Sequence, residues 1–526
     1  MTTLLTPDEI ESLLQARIAP GALKRLGELQ PPEQMLGVTA AAERIAAAIK
    51  NREPIAVVGD YDVDGVCAAA ILSDGLKRLG GRAESILPCR FKDGYGLSPA
   101  LADRIEASLV VTVDNGIAAC EAARVLKARG QDLIITDHHQ PPAVLPEALA
   151  IINPKLRECG FGFDQLCGAT VAWYLLAGVK AKMCAPLDMA AYLEWMVLAI
   201  LADAVPLVGP NRLLAIHGLS ALNRSERPFV QALRRFFERR TFDYDAIAFQ
   251  IAPRLNAAGR MADAQLALAF LLAEDVSHAL TLWQRLDALN TERKGVQNRT
   301  IEAALLQHEP DDPAAVVWEE GWHEGVSGIV AARLAEQLQK PAIVFALKGD
   351  RAKGSARGVG ECDLYALIAQ ASEHLIGFGG HRKAAGLIAA KEALAPFKAA
   401  FLRGCAHLGD RASGMPEGVI GAIKPEAMSL DLARRIARYE PFGEANAKPL
   451  FWAEDFEIRR VRRLGSGGEH LKLEVAAHPG APTLEAISFF NDRPVEIEDR
   501  VSFFYALEIN RFRERESVQL VIDRFS

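Results

Sequence analysis

The chain of 526 residues is 50% hydrophobic and 24% charged, which is the composition of a globular protein with roughly three or four domains. Its formal net charge of −7 excludes a surface coated with positive charge for non-specific nucleic-acid binding, but it leaves room for a local basic channel. The eight cysteines include no Cys-x-x-Cys pair, which argues against a disulfide framework and against a zinc site of that type.

Two further features bear on where the protein works. The N-terminus has no basic segment ahead of an apolar one, so we expect no secretory signal. The most apolar long stretch, 189–208, contains Glu194 and Asp203, and we expect it to form a buried helix rather than a membrane span. Together with the scattered cysteines, these features predict a cytoplasmic protein that does not enter the membrane.

The first part of the chain predicts an α/β fold. Residues 1–50 are expected to form a helical N-terminal segment, beginning with the capping residues Thr6, Pro7 and Glu9. From residue 55 to about 154, β-rich runs alternate with helical patterns, which predicts a mostly parallel sheet with helices on both faces. The predicted strands are 55–59, 83–87, 109–113, 132–136 and 149–152, and the predicted helices include 66–79, 98–107 and 117–129.

Acidic and imidazole side chains follow three of these strands. The first strand ends in Asp60, Asp62 and Asp64, the strand 109–113 is followed by Asp114, and the strand 132–136 is followed by Asp137, His138 and His139. Ligands of such sheets bind beyond the carboxyl ends of the strands. Carboxylates that lie close together repel one another, so they need a positive partner, and the divalent cations Mg²⁺ and Mn²⁺ prefer carboxylate oxygens. The first cluster alone is equally consistent with a solvated turn. Three clusters at one sheet edge favour a metal site.

Asp203 is a fourth candidate. It lies in the apolar run 197–206, where an unpaired carboxylate is unfavourable. An ion pair at a helix end is the alternative explanation, but a role as a metal ligand fits better beside the other three clusters.

The second half of the chain predicts a long helix, a smaller α/β unit and a barrel. An amphipathic pattern over 274–307 predicts a helix connecting two lobes, and 313–410 contains strands 315–318 and 342–345 around a helix at 327–339. Residues 411–416 have the composition of a linker. The last segment contains five short strands with turn signals, typical of a small β-barrel. Six arginines recur in this segment, with the aromatic residue Phe512 among them: Arg459, Arg460, Arg462, Arg463, Arg511 and Arg513. Taken singly, these arginines are explained as surface residues that aid solubility.

The motifs together resemble those of the DHH phosphoesterase superfamily and, within it, the RecJ family of single-strand-specific exonucleases. The resemblance rests on Asp-Tyr-Asp-Val-Asp-Gly at 60–65, Val-Asp-Asn-Gly at 113–116, the triplet at 137–139, and Ala202-Asp203. It runs from about residue 50 to the C-terminus. It implies a centre with two Mn²⁺ or Mg²⁺ ions, in which Asp114 bridges both ions and His139 contacts the scissile phosphate. The implied metal ligands are Asp60, Asp62, Asp64, Asp114, His138 and Asp203.

The resemblance also implies residues that contact the substrate. Three further segments resemble RecJ sequences: 90–96, 253–260 and 377–381. The implied contacts are Arg90, His139, Arg260, Gln297, Arg333, Ser355, Arg357, Gly379, Gly380 and His381. Without the resemblance, most of these residues are equally well explained as solvated charges, a surface hairpin and a structural histidine. The chain departs from the family pattern at Val66-Cys67, at Glu324, where proline is frequent, and at Gly358, where serine is common.

These expectations define the domains. We predict a helical N-terminal segment (1–50), a DHH catalytic domain (51–210), a helical region with the long connecting helix (211–312), a DHHA1 domain (313–412) and an OB-fold single-strand-binding domain (417–526). OB-folds bind single strands with positive charge and stacking aromatic residues, so the six arginines and Phe512 named above are the candidate contacts of this domain.

They also define the function, a two-metal 5′-to-3′ exonuclease on single-stranded DNA that releases 5′-mononucleotides. The resemblance implies a monomer and, as partner proteins, a single-strand-binding protein and a helicase. One alternative is a DHH-family phosphodiesterase for short oligonucleotides or cyclic dinucleotides, which would hydrolyse small substrates without the barrel. The other is a catalytically inactive DNA-binding scaffold.

Overall fold

The computed structural model describes the chain except residues 1–2, 19–21, 361, 407–415, 417, 466, 467, 469, 490, 492, 513 and 514, and except the side chains of Arg511 and Phe512. The predicted linker 411–416, apart from Pro416, and the predicted DNA-binding residue Arg513 lie outside the described residues.

The strands of the described residues belong to three sheets. In chain order they are β1 (Leu4–Leu5), β2 (Pro54–Val58), β3 (Arg82–Ile86), β4 (Leu109–Val113), β5 (Asp132–Thr136), β6 (Ala150–Ile152), β7 (Ala315–Glu320), β8 (Ala342–Lys348), β9 (Arg351–Arg357), β10 (Gly377–Gly380), β11 (Ala384–Ala390), β12 (Val419–Ile423), β13 (Leu450–Leu464), β14 (His470–Ala476), β15 (Leu484–Ser488), β16 (Arg500–Phe512) and β17 (Arg515–Phe525).

The helices range from short connecting turns to one helix of 32 residues. They are α1 (Pro7–Arg17), α2 (Val38–Asn51), α3 (Val63–Arg78), α4 (Pro99–Arg104), α5 (Cys120–Ala128), α6 (Gly168–Met183), α7 (Leu193–Ala202), α8 (Gly209–Arg224), α9 (Pro228–Phe237), α10 (Ala252–Met261), α11 (Gln265–Leu271), α12 (Val276–Gln307), α13 (Ser327–Leu338), α14 (Leu364–Gln370), α15 (Leu394–Cys405) and α16 (Leu430–Ala437). In the part of the chain that the structure describes, no helix has the length and apolarity that crossing a membrane requires.

The chain divides into two units, one of Pro31–Asp203 and Gly218–Gly414, the other of Met1–Gln30, Ala204–His217 and Met415–Ser526. Residues 1–50, predicted as one helical segment, are therefore divided between the units, and they include the short strand β1 as well as helices.

The first sheet of the larger unit is entirely parallel, with strand order β3-β2-β4-β5-β6. Its central strands are β-branched and buried, as expected for a sheet covered on both faces. Val58 pairs with Thr112, and Val113 pairs with Thr136, so the residues that follow these three strands emerge at one edge. The five strands predicted for this sheet agree with the observed ones to within one residue at every end.

The helix after β2 begins earlier than the sequence suggested. It was expected to start at residue 66, but α3 starts at Val63, because the Asp62 carboxylate caps it by accepting a hydrogen bond from the Gly65 amide at 3.1 Å. Asp64 therefore lies in the first turn of a helix rather than in a loop, and its direction is fixed by the helix.

The second sheet of the larger unit has strand order β10-β11-β9-β8-β7, with only β7 and β8 parallel. Helix α13 packs on one face, and α14 and α15 pack on the other. The long helix α12 packs against α9, α10 and α11 and also against α13, so it connects the two α/β lobes as predicted.

The smaller unit is built on a seven-stranded sheet of order β1-β12-β13-β14-β15-β17-β16, in which β13 also pairs with β16. This second pairing closes the strands into a barrel around a core that includes Phe451, Phe503 and Tyr505. The N-terminal strand β1 pairs with β12, and α1 packs against α16. The prediction of two α/β lobes joined by a long helix, with a C-terminal OB-like barrel, is confirmed.

Candidate metal centre and substrate site

The residues that follow β2, β4 and β5 meet in one buried cluster. Asp60, Asp64, Asp114 and His138 are buried, whereas Asp62, His139 and Asp203 retain partial exposure. Their ligand atoms form three overlapping groups whose members lie within 4.8 Å of one another. These groups are Asp60, Asp62 and Asp114; Asp64, His138 and Asp203; and Asp114, His138 and His139. The structure thus brings all seven predicted centre residues together, with Asp114 and His138 shared between groups.

Asp64 is held by the start of helix α6. Its two carboxylate oxygens accept hydrogen bonds from the Gly168 amide at 2.6 Å and the Ala169 amide at 2.8 Å. Gly168 leaves space for this approach, because a Cβ at that position would lie 2.5 Å from Oδ1 of Asp114. Sequence analysis missed Gly168 and Ala169. The sequence feature that could have indicated these two residues is a glycine at the start of a strongly apolar helix.

Asp114 has a left-handed backbone, with φ of 62°. Asn115 supports this turn, since its Nδ2 donates to the carbonyl groups of Val58 at 3.0 Å and Val113 at 2.9 Å. Its Oδ1 accepts from the Leu97 amide at 3.1 Å. Unfavourable backbone geometry of this kind persists where the surroundings fix it, and it directs the Asp114 side chain into the cluster. Asn115 was part of the recognised motif but had been given no role.

His138 is suited to act as a neutral ligand. Burial, followed by the charge of His139, lowers the pKa of its imidazole to about 3, so the ring is uncharged near neutral pH. Its Nε2 lies 3.1 Å from Asp114 Oδ1, 3.7 Å from Asp64 Oδ2 and 3.8 Å from Asp203 Oδ2.

His139 is oriented by Asp137. Oδ1 of Asp137 lies 2.7 Å from the His139 Nδ1 and accepts from the His139 amide at 3.0 Å, while Oδ2 accepts from the Ile117 amide at 2.9 Å. Burial lowers the pKa of His139, but the bond to Asp137 and nearby carboxylates outweigh burial and raise the pKa to about 9. The ring therefore carries a proton near neutral pH and can donate to an anionic oxygen.

The cluster concentrates negative charge, which the protonated His139 and the nearby Arg90 offset only in part. Burial, followed by the charges of neighbouring aspartates, raises the pKa of Asp64 to about 6 and that of Asp203 to about 8. The same two causes also raise the pKa of Asp114. Among the described residues, buried oxygens of Asp60, Asp114 and Asp203 find no hydrogen-bond donor. Carboxylate oxygens with an imidazole nitrogen are a donor set for Mn²⁺ or Mg²⁺, so these residues fit divalent cations.

Aromatic residues and Arg90 lie beside the cluster. The Arg90 guanidinium lies 4.0 Å above the ring centroid of Tyr61, and its Nε donates to the Gly259 carbonyl at 3.2 Å. Tyr95 makes edge contacts with both Tyr61 and His139. Sequence analysis had quoted the segments containing both tyrosines without assigning them a role.

Arg260 connects the two lobes of the larger unit. Burial, followed by the charges of Arg90 and Arg293, lowers its pKa to about 10, so the guanidinium stays charged among like charges. The loop before α13 packs against it, because a Cβ on Gly325 would lie 1.9 Å from the Arg260 carbonyl oxygen. This concentration of positive charge next to a carboxylate cluster suits an anionic substrate.

Ser355 and Arg357 lie on β9 beside the start of α13. A Cβ on Gly328 would lie 3.3 Å from an Arg357 Nη2 and 3.6 Å from the Ser355 hydroxyl. The buried Ser327 hydroxyl has no hydrogen-bond partner among the described residues. Two hydroxyls and a guanidinium at a helix N-terminus provide donors of the kind that bind phosphate.

The predicted glycine and histidine contacts lie on the same sheet. Gly379 pairs with Gly386, which pairs with Ser355, and Arg357 pairs with Ala384. The His381 amide donates to the Ala384 carbonyl at 2.8 Å, so the turn 380–383 lies at the end of the sheet that carries Arg357. A Cβ on Gly379 or Gly386 would meet no atom within 4 Å, which leaves the backbone open to close approach.

Gln297 and Arg333 have partners of their own. The Gln297 Oε1 accepts from Arg293 at 2.7 Å on α12, and Arg333 pairs with Glu336 at 2.7 Å on α13. Glu324, one of the departures from the family pattern, pairs with Lys353 at 2.9 Å. A negative charge therefore lies beside the strand that carries Ser355.

Comparison with known proteins agrees with this arrangement. Residues 54–200 match the DHH family, N-terminal domain; residues 311–405 match the DHHA1 domain; and residues 421–524 match the RecJ OB domain. The single-stranded-DNA-specific exonuclease RecJ of Salmonella typhimurium is 33% identical, over 98% of this chain and 96% of that protein.

Comparison with solved structures also finds similarity to RecJ proteins. The crystal structure of RecJ from Thermus thermophilus in complex with Mn²⁺ superposes with a TM-score of 0.77 and 28% identity, covering 94% of this chain and 72% of that one. The Mg²⁺ complex from the same organism has a TM-score of 0.73 and 26% identity, over 100% of this chain and 77% of that one.

The parallel sheet with its acidic edge, followed by the second α/β lobe, defines a DHH-type phosphoesterase with a DHHA1 domain. Within this class, the chain is similar to a RecJ exonuclease over nearly its full length, and its C-terminal barrel matches the RecJ OB domain. The chain belongs to the RecJ family of single-stranded-DNA-specific exonucleases.

Proposed function

We propose that this chain is a metal-dependent exonuclease that degrades single-stranded DNA from the 5′ end and releases 5′-mononucleotides. The observation that carries the proposal is the buried cluster in which Asp114 and His138 each belong to two groups of ligand atoms within 4.8 Å. Shared ligands of this kind fit a pair of closely spaced cations. RecJ structures contain Mn²⁺ or Mg²⁺, and we propose that either ion serves here.

The chemistry follows from the residues that surround the cations. Two such cations, when bound, lower the pKa of a water molecule and stabilise charge on the attacking and leaving oxygens of a phosphodiester. Asp60, Asp62, Asp64, Asp114, His138 and Asp203 would hold them. The protonated ring of His139, oriented by Asp137, donates to an oxygen of the scissile phosphate. No protein nucleophile is needed.

The 5′ polarity is supported by the donors of the second lobe. Ser355, Arg357 and the start of α13 offer hydroxyl and guanidinium donors to a terminal phosphate, and Arg260 supplies charge between them and the metal cluster. We propose that Arg90, Gln297, Arg333, Gly379, Gly380 and His381 contact the strand along this path. With a terminal phosphate bound by these donors, hydrolysis of the first phosphodiester would release a 5′-mononucleotide.

We further propose that the domains have separate roles: residues 51–210 carry the metals, 211–312 connect the lobes, 313–412 bind the strand end, and 417–526 bind single-stranded DNA. The eight free cysteines fit a reducing compartment, and we propose a cytoplasmic monomer that works with a helicase and a single-strand-binding protein.

Release of label from 5′-phosphorylated single-stranded DNA tests the proposal. The comparison strands are a blunt duplex and the same single strand with a blocked 5′ end, each with Mn²⁺ or with chelator. We expect rapid mononucleotide release from the free single strand alone, and none with chelator. Equal attack on the blocked strand contradicts the polarity. Hydrolysis restricted to dinucleotides favours the small-substrate phosphodiesterase, and no hydrolysis of any substrate favours the inactive scaffold.

A further inference from the structure

The buried side of the long helix α12 contains a polar stretch. The residues of this side, three or four positions apart, are Leu286, Asn290, Arg293, Gln297, Thr300 and Ala304. The first and the last are fully buried apolar side chains, whereas Arg293 and Gln297 between them remain partly exposed. Helix α12 packs against α10 of one lobe and α13 of the other, so the polar stretch lies where the helix passes from lobe to lobe. Apolar packing alone does not explain polar residues at these positions.

Neutral acceptors hold the guanidinium of Arg293. Its Nε and Nη2 both donate to Oδ1 of the buried Asn290, at 3.1 Å and 2.9 Å, and its Nη1 donates to Oε1 of Gln297 at 2.7 Å. By contrast, Arg254 on the facing helix α10 pairs with the carboxylate of Asp287 at 2.7 Å. Because an amide oxygen carries no net charge, the bonds to Asn290 and Gln297 fix the direction of the guanidinium and leave its charge in place.

Four guanidiniums of the larger unit share this feature and lie near one another. They are Arg90, Arg260, Arg293 and Arg357. Burial lowers the pKa of Arg260, and the charges of the other three lower it further. Arg90 donates to the Gly259 carbonyl and Arg357 to the Ala356 carbonyl, and within the described part of the chain none of the four forms an ion pair with a carboxylate. Asp62 attracts Arg260 from the metal cluster, but cations bound there would offset its charge.

These four positive charges exceed what a strand end supplies, because a terminal phosphate carries roughly two negative charges at neutral pH. We propose that Arg293 binds a phosphodiester inside the DNA strand and that Asn290 is a positioning residue, which directs this guanidinium toward the strand. Arg293 occupies the side-chain oxygen of Gln297, so the strand contact proposed above for Gln297 falls to its Nε2. This inference rests on the proposed function, because it needs single-stranded DNA as the ligand.

Asn290→Asp tests the inference without displacing the guanidinium. The new carboxylate has nearly the shape of the amide, and it converts the bonds from Arg293 into an ion pair that neutralises its charge. Affinity of the full-length protein for 5′-phosphorylated single-stranded DNA is measured by fluorescence anisotropy in Ca²⁺ or chelator, over a range of salt concentrations. We expect roughly tenfold weaker binding at low salt. The slope of log affinity against log salt concentration should become shallower by about 0.7, the change for one lost phosphate contact on a single strand.

A second variant removes the guanidinium itself. Arg293→Ala should make the salt slope shallower by the same amount. The loss of affinity should be equal for strands with a 5′-phosphate and with a 5′-hydroxyl, because the inferred contact is a diester inside the strand. The matched control is Asn298→Asp, which makes the same change of charge at an exposed position of α12. Its affinity and salt slope should stay close to those of the unmodified chain, since salt screens an exposed charge.

Each contrary result has a definite meaning. Unchanged affinity and salt slope in both variants overturn the inference and leave the proposed function intact. Weaker binding with an unchanged slope and a lowered Tm also overturns it, since the effect then comes from damage to the helix. A loss confined to the 5′-phosphorylated strand places Arg293 at the strand end and contradicts the diester contact. If the unmodified chain does not bind single-stranded DNA, the proposed function itself fails.

Discussion

The amide of Gly168 donates to the Asp64 carboxylate at 2.6 Å, and the position its Cβ would occupy lies 2.5 Å from Oδ1 of Asp114. One glycine thus lies against two metal-ligand candidates that come from different strand ends. The start of α6 therefore fixes the centre as directly as the aspartate motif does.

Replacing this glycine should displace the centre while leaving the fold intact. In Gly168→Ala, the new methyl group must push Asp114 or α6 away, and displacements near 1 Å in a catalytic site reduce rates by about a hundredfold. We expect a loss of that order in kcat on single-stranded DNA, measured with saturating Mn²⁺. Gly160→Ala is the matched control, because its Cβ would meet no atom within 4 Å. Activity close to normal in Gly168→Ala would show that the centre tolerates the displacement.

Neutralising Asp114 should remove activity without destabilising the metal-free protein. We expect Asp114→Asn to reduce turnover by at least about a thousandfold, since a metal pair contributes several kcal/mol to the transition state. In chelator, its Tm should equal or exceed that of the unmodified chain, because one of several buried like charges is gone. Addition of Mn²⁺ should raise the Tm of the unmodified chain, and much less that of the variant.

The control is Asp103→Ala, which removes an exposed partner of Arg129. A fall in the chelator Tm of Asp114→Asn would instead identify Asp114 as a structural residue.

Removing Arg357 should weaken recognition of the strand end. A charge-assisted hydrogen bond to phosphate contributes about 1.5–3 kcal/mol, so we expect KM for a 5′-phosphorylated strand to rise roughly tenfold to a hundredfold in Arg357→Ala. KM for the same strand with a 5′-hydroxyl should change much less. Arg351→Ala, an exposed residue on the same strand, serves as the control. Equal effects on both strands would place Arg357 along the DNA path rather than at its end.

Glu324 should reduce DNA affinity modestly through its charge. It pairs with Lys353 at 2.9 Å, so Glu324→Gln frees a cation beside Ser355. Partly exposed ion pairs of this kind contribute up to about 1 kcal/mol. We therefore expect Glu324→Gln to bind DNA about two- to fivefold more tightly at low salt, which corresponds to that energy. This gain in affinity should decline as the salt concentration is raised. Fluorescence anisotropy in Ca²⁺ or chelator measures this without hydrolysis. Glu373→Gln, an exposed residue elsewhere in the same lobe, should have no such effect.

The sequence by itself determined the element types and the chemistry of the centre. Continuous apolar runs rich in β-branched residues identify β2, β4 and β5, and the parallel-sheet rule then places Asp60, Asp114 and His138 at a common edge. These signals are local or follow from a topological rule, so they can be read without coordinates. The start of α3 at Val63 was missed, since aspartates at a helix N-terminus and aspartates in a turn have the same composition.

Tertiary structure alone decided which distant residues support that edge. Gly168 and Ala169 reach Asp64 from more than a hundred residues away along the chain, as the contacts show. The division of residues 1–50 between two units and the attachment of 204–217 to the barrel also depend on long-range packing. Nothing in the local pattern around Arg212 specifies the carbonyls of Glu440 and Pro441 as its acceptors. Hydrogen-bond partners of this kind are set by how buried surfaces fit together, which no window of neighbouring residues contains.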